Sequence, residues 1–164
     1  MIYLIWGYPG VGKDYIARLF SECIGIPRIE TDKFLTKREK DKLINNSFTD
    51  EDRTRKLKRL VKYLKQRKGS CIVTDSLPTQ NSRLFLKKHF EHQIIFILVK
   101  SPKKIHYARI ENRKNHFFKK SNLDNYISKW EPIKGFSCVT FINGTQSEES
   151  LKKKLLKIYK ITTR

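Results

Sequence analysis

The strongest constraint on this chain lies in its first fourteen residues. Met1-Ile2-Tyr3-Leu4-Ile5-Trp6 is an uncharged apolar run, short enough for a buried strand. Gly7-Tyr8-Pro9-Gly10-Val11-Gly12-Lys13 follows at once, and from Asp14 the pattern turns helical. Strand, GxxxxGK and helix in that order predict a phosphate-binding loop. Its glycines admit unusual φ values and let the backbone approach a ligand closely. Successive N–H groups and the positive end of the next helix then surround an anion. Lys13 adds a mobile cation for β- and γ-phosphates. The motif normally ends in Ser or Thr, whose hydroxyl holds Mg2+; here that position is Asp14.

Beyond the loop, strand and helix signals alternate. Ile16, Ala17, Leu19, Phe20 and Cys23 make a helical face from Lys13 to about Ile24, ended by Gly25 and Pro27. Arg28–Thr31 is a predicted short strand, with Asp32 at its carboxyl end, where ligands lie in open α/β sheets. Lys33–Leu43 is a polar helix and Asn45–Ser47 a turn. Thr49 caps the next helix, with Asp52 completing a box-like pattern and three acids at the positive dipole end. Leu57, Leu60, Val61 and Leu64 are its buried stripe, and the nine Lys or Arg from Arg53 to Lys68 predict a solvated outer face, with a surface for a polyanion as the alternative. Ser70–Asp75 is a second apolar strand ending in an acid, like the second metal-site motif of phosphate-loop enzymes.

Asn81–Phe90 reads as a helix with Leu84, Phe85 and Leu86 apolar. Ile94–Val99 is too continuously apolar for a one-sided sheet, and fits a parallel strand covered on both faces. Ser101-Pro102 caps and starts another helix. That helix leads into a basic, aromatic segment holding Arg109, Arg113, Lys114, His116, Phe117, Phe118, Lys119 and Lys120. The segment, at about residues 109–125, suits a lid over a triphosphate and equally a stacking platform for a single strand, beside the plain reading of an exposed helix end. Ser137–Asn143 is the last strand. Ser147-Glu148-Glu149 caps a final helix with Leu151, Leu155, Ile158 and Tyr159 on one face. Five alternations without repeat or linker predict a three-layer α/β fold with a five-stranded parallel sheet, as one domain over residues 1–164.

Composition bounds the partners. A hydrophobic fraction of 38% suits a globular protein. No apolar stretch approaches the ~20 residues that cross a bilayer, and the N-terminal run leads too directly into the loop for a signal peptide. Cys23, Cys71 and Cys138 are odd in number and lie in or beside apolar segments, which predicts buried free thiols and a reducing cytoplasm. The net charge of +20 supports anionic partners without choosing among a phosphorylated ligand, a nucleic acid and an anionic surface. A Lys-, Asn-, Ile- and Phe-rich composition also produces such a charge with no functional meaning.

At this point the residues resemble the adenylylsulfate (APS) kinase family, within the nucleoside-monophosphate-kinase-like group. Gly7–Lys13 matches its phosphate loop, and Phe48-Thr49-Asp50-Glu51-Asp52-Arg53 is similar to its Phe-Ser-x-Glu-Asp-Arg segment. Pro78 and Arg83 keep the spacing of a Pro and an Arg after the third strand. Arg109–Lys120 falls at the lid, and Trp130-Glu131-Pro132 is similar to a Tyr-Glu-x-Pro segment. The departures are Asp14 for the loop hydroxyl, Leu35 for an arginine, Lys56 for an asparagine, Leu77 for a serine, and Asp75 as an added acid. Most lie on the acceptor side, which implies a related kinase with a changed acceptor; a cytidine diphosphoramidate kinase is one candidate.

The resemblance implies ATP and Mg2+, with γ-phosphoryl transfer to a hydroxyl of an anionic, nucleotide-like acceptor. Gly7, Tyr8, Pro9, Gly10, Val11, Gly12, Lys13 and Asp14, with Arg109 and Arg113, are then the ATP site. Asp32 orients the acceptor hydroxyl, Phe48 stacks on its base, and Arg53, Arg83, Lys114 and Phe117 complete the acceptor site. Asp14 and Asp75 are the metal candidates, and Lys13, Asp32 and Arg109 the catalytic ones. Rival readings are a polynucleotide 5′-kinase, a non-catalytic nucleotide- or RNA-binding module, and a kinase of a small metabolite such as a sugar acid. Self-association into a homodimer is left open.

Overall fold

The computed structural model describes residues 1–112, 123–133 and 137–162. Its elements run β1 (Ile2–Trp6), α1 (Lys13–Ile24), β2 (Arg28–Glu30), α2 (Lys37–Ile44), α3 (Asp50–Gln66), β3 (Cys71–Asp75), α4 (Gln80–Phe90), β4 (Ile94–Lys100), α5 (Lys103–Glu111), α6 (Leu123–Ser128), β5 (Val139–Ile142) and α7 (Glu148–Thr162). The strands form one parallel sheet in the order β2-β3-β1-β4-β5. Every residue of the central β1 is buried, because both sheet faces are covered by helices.

Alternation along the strands divides the core in two. Leu4, Trp6, Val73, Phe96 and Leu98 pack with Leu57, Leu60 and Leu64 of α3 and Leu86 of α4. Tyr3, Ile5, Ile72, Ile97 and Val99 pack with Ile16 and Phe20 of α1 and with Leu151 and Leu155 of α7. Each fully buried leucine contributes roughly 1.5–3 kcal/mol. The outcome is the expected five-stranded phosphate-loop kinase-like fold. The carboxyl ends of its strands face one edge, the position of the ligand crevice in such sheets.

Several local expectations change. The strand expected over Arg28–Thr31 stops at Glu30. Thr31 Oγ1 donates to Thr74 O (2.9 Å), and the chain continues as a 3-10 turn over Thr31–Phe34 that carries Asp32. Consequently α2 begins at Lys37 rather than Lys33, where Thr36 and Glu39 satisfy each other's backbone N–H in a reciprocal capping box. The box expected of Thr49 and Asp52 is present at the start of α3. The basic face of that helix is not uniformly solvated, since Lys56 is buried. Ser101 does not cap α5; Pro102 takes the N-cap position and makes no side-chain hydrogen bond. The helix α6 had no counterpart in the sequence reading. The three cysteines are free thiols, but only Cys71 is fully buried; Cys23 and Cys138 are half-buried.

Candidate phosphate loop and acceptor cleft

Residues 7–12 turn out of β1 and deliver the chain into α1. At Gly12, φ is +87°, and a Cβ would lie 2.3 Å from Asn143 Nδ2 and 3.3 Å from Arg109 Nη1. At Gly7, φ is +149°, and a Cβ would lie 2.4 Å from Val99 O. Only glycine fits these two contacts, and together they pull the loop against β4 and the end of β5.

The Val11 carbonyl is the loop's anchor. Asn143 Nδ2 donates to it at 2.7 Å and Arg109 Nη1 at 3.2 Å, while Arg109 Nη2 reaches Gly144 O at 3.5 Å. Asn143, only 1% exposed, was read in the sequence merely as the end of a strand; no motif marks it. Two donors on the Val11 oxygen fix that peptide of the loop from the β5 side. Lys13 Nζ donates to Tyr8 O at 3.1 Å, so it is already folded over the loop. Asp14 is exposed in the first turn of α1.

The second half of the site is built at the ends of β2 and β3. Asp75, buried at 6% exposure, accepts from Lys56 Nζ at 2.9 Å through Oδ2 and from the Ser76 N–H at 2.6 Å through Oδ1. Burial alone would raise its pKa; the Lys56 charge and hydrogen bond, with help from Thr31 and Arg53, hold it below the usual value. Lys56 Nζ is also 3.9 Å from Oδ1 of Asp32, whose side chain is 59% exposed. Both oxygens of Asp75, one of the two expected metal residues, thus already have one donor each. Of the expected metal residues, Asp14 keeps an open carboxylate.

Phe48 and Arg53 come together as expected. The guanidinium lies 5.3 Å from the ring centroid, with Arg53 Nε 3.7 Å from Asp50 Oδ1. They line a cavity of about 320 Å³ with Asn46, Thr79, Tyr126 and Lys129. Tyr126 and Lys129 escaped the sequence reading, since they belong to no motif and reach the cleft through α6. Burial raises the pKa of the Tyr126 hydroxyl, against the charge of Arg53 and hydrogen bonds with Ser76 and Arg53.

Arg83 is the clear correction. Its side chain is 0% exposed and its guanidinium lies 5.2 Å from the Trp6 ring centroid. Nη1 donates to Leu77 O and Pro78 O, both at 3.1 Å, and Nη2 to Glu131 O at 3.2 Å and Pro132 O at 3.0 Å. It ties the β3–α4 turn to the segment after α6, and only its buried Nε is left without a partner. Burial lowers its pKa, and the four carbonyls compensate in place of water. Arg113, Lys114 and Phe117, with the rest of the expected lid from 113 to 122, lie outside the described residues.

Comparison with known proteins agrees with this geometry. A probable gluconokinase of Dictyostelium discoideum is 27% identical over 137 residues, which cover 78% of this chain and 68% of that protein. The crystal structure of a sugar kinase from Janibacter sp. HTCC2649 superimposes with a TM-score of 0.83 at 23% identity, over 98% of this chain and 94% of that one. The APS kinase of Mycobacterium tuberculosis, in complex with AMPPNP and APS, superimposes with a TM-score of 0.72 at 15% identity, over 97% and 96%. At such identities the two structures are evidence of fold alone, and the resemblance to APS kinase is one of fold. The AAA domain family matches residues 4–129, the stretch from β1 through the phosphate loop, both acidic strand ends and α6, and the chain belongs to that family.

Proposed function

We propose that the chain is an ATP-dependent kinase that phosphorylates a hydroxyl of a small polyhydroxylated acid, of the sugar-acid class. The observation that carries this reading is the make-up of the Phe48–Arg53 cleft. With Arg83 bound to carbonyls, Arg53 is the one guanidinium among the cavity's described residues, with Lys129 as a second cation. Together they suit the carboxylate of a small acid. Asn46, Asp50, Thr79 and Glu131, on the same cavity, suit an array of hydroxyls. The guanidinium lying over Phe48 covers a ring face that a stacked base would need. The gluconokinase relative agrees with this class of acceptor.

In this reading the loop N–H groups and Lys13 hold the β- and γ-phosphates of ATP, Lys13 exchanging Tyr8 O for phosphate oxygen. Asp32 accepts a hydrogen bond from the acceptor hydroxyl and takes its proton as the oxygen attacks the γ-phosphorus and the bond to the β-bridging oxygen breaks, releasing ADP. Arg53 anchors the acceptor's carboxylate. Arg109 exchanges the Val11 and Gly144 carbonyls for the developing charge, and the roles expected of Arg113, Lys114 and Phe117 fall outside the described residues. Among the described residues no three acidic, His or Cys side chains converge. A divalent cation here would share its coordination with phosphate and water, as Mg2+ commonly does. Asp14, at the loop's end, is the residue that would hold Mg2+, which would supply charge neutralisation to the triphosphate.

Tyr126 across the cleft from Phe48 favours a second reading, a nucleotide-type acceptor. ADP release measured with gluconate and related sugar acids, adenylyl sulfate, cytidine diphosphate derivatives and oligonucleotides separates the two. Turnover with a sugar acid at a kcat/KM at least tenfold above the others is expected. Turnover confined to nucleotides overturns the acceptor, and turnover with none of them returns the non-catalytic reading.

A further inference from the structure

A second cavity lies on the other side of the segment that follows α6. It measures about 520 Å³ and shares a single lining residue, Glu131, with the acceptor cleft. Its walls are aromatic. Tyr8 of the phosphate loop meets Trp130 at 4.1 Å between ring centroids, and its ring is nearly parallel to that of His106 at 6.1 Å. The Tyr107 ring lies 4.9 Å from that of His106. Leu98 and Ile127 fill the gaps.

Two polar groups in this apolar wall have no partner. His106 is 5% exposed, and its Nε2 is shielded from water without a hydrogen bond; Ser101 Oγ is in the same condition. A buried polar atom left unmatched is destabilising, and native chains keep few of them. Burial, reinforced by the charges of Lys13, Lys103 and Arg109, lowers the His106 pKa, so the ring is a neutral imidazole able to donate or accept one hydrogen bond. At the rim stand Lys100 and Lys103, both exposed.

We propose that this cavity is a second ligand site, taking a nucleoside monophosphate: its base against the aromatic wall of Tyr8, His106 and Trp130, its polar edge on His106 Nε2 and Ser101 Oγ, its phosphate at Lys100 and Lys103. Flat aromatic rings favour a flat ligand, two isolated polar atoms give it orientation, and the lysines select an anion. Because Tyr8 belongs to the phosphate loop and its carbonyl holds Lys13, the occupant touches the ATP site from behind. Its binding and that of ATP then affect each other reciprocally. The site stands apart from the identity of the phosphoryl acceptor, which has its own assay.

The test uses the whole chain saturated with β,γ-imido-ATP, titrated calorimetrically with AMP, CMP, GMP and UMP. At least one of them is expected to bind, to keep its affinity within twofold in Arg53→Ala, and to lose at least tenfold in His106→Phe. His106→Phe preserves the aromatic ring and removes the nitrogens. Ser101→Trp, which fills the cavity from its rim, abolishes binding and decides the matter should His106→Phe fail to fold. Absence of binding by all four monophosphates overturns the proposal. So does binding that disappears with Arg53→Ala, or that survives in the cavity variants.

Discussion

Lys56 Nζ lies 2.9 Å from Asp75 Oδ2, with both side chains at least nine-tenths buried. The two positions are separate departures from the APS kinase pattern, a lysine for an asparagine and an acid where none is usual. In the fold they are one change. A buried carboxylate without a cation, or the reverse, is strongly unfavourable, whereas the pair is tolerable. Lys56→Met and Asp75→Asn should therefore each lose about 3–5 kcal/mol, and the double variant less than about 2 kcal/mol. Urea unfolding of the three proteins measures this; additive losses in the double variant would show that the residues act independently.

The acid limb of stability follows from three buried carboxylates. Asp52 is held well below the usual range by Lys42, whose Nζ is 2.9 Å from both of its oxygens, with Thr49 and Arg55 adding hydrogen bonds against the cost of burial. In Asp75 and Glu39 burial acts upward, and Lys56 and Arg59 respectively overcome it. Each carboxyl group thus titrates lower in the folded chain than in the unfolded one. Their stabilisation is complete above the unfolded value of about 4 and is lost as pH falls through the folded values. Thermal unfolding between pH 7 and pH 2 should show the midpoint falling below pH 4, and Asp52→Asn should shallow that fall. An unchanged slope in Asp52→Asn would refute the assignment.

Arg83 and Arg53 should give opposite phenotypes. Arg83→Met leaves four carbonyls short of a donor, so it should cost several kcal/mol of stability, by analogy with about 1–3 kcal/mol per unmatched buried group, with KM for the acceptor unchanged in the folded fraction. Arg53→Met should raise that KM by at least tenfold with little change in unfolding. Steady-state kinetics beside thermal melts distinguish the two, and a KM effect in Arg83→Met would restore it to the acceptor site.

Asp14 predicts a crossing. Without Mg2+ the carboxylate repels the triphosphate, and Asp14→Asn should tighten ATP binding; with Mg2+ the same variant should weaken it, since a ligand to the metal is lost. Calorimetric titration of ATP with and without Mg2+ reads both signs. Identical affinities in wild type and variant under both conditions would remove Asp14 from the site.

Asn143 provides the loop's own control. Asn143→Ala frees one donor from the Val11 carbonyl and opens space beside Gly12, so ATP should bind about tenfold more weakly, the equivalent of one hydrogen bond near 1.4 kcal/mol. Acceptor KM should stay where it was. Equal losses for both substrates would mean a general loosening instead.

What the sequence made legible was what neighbouring residues decide. The phosphate loop, the Thr49–Asp52 box and the apolar parallel strands are all local patterns, and the Phe48–Arg53 pair is only five residues apart. Arg83 was misread because its partners Glu131 and Pro132 lie 48 and 49 residues further on. No local rule tells a guanidinium whether carbonyls or a ligand will meet it. Lys56 and Asp75 were each visible, but their partnership is tertiary, across 19 residues. Tyr126, Lys129 and Asn143 went unnoticed for the same reason: each is ordinary where it stands in the chain and acquires a role only from what the sheet and α6 bring beside it.

Finally, β5, which leads into Asn143, is an edge strand of the sheet. Asn143 is bonded by its backbone to Lys100 O (2.8 Å) and by its side chain to the phosphate loop. Edge strands are among the first parts of a fold to open and reclose. Here each such opening would release the nucleotide cradle, so fraying of the edge and loss of ATP are a single event. Nucleotide would accordingly slow amide exchange in β5 and in α7, which packs against α1. The far end of the chain would report on occupancy of its beginning, and loosening it would empty the loop well before the molecule unfolds.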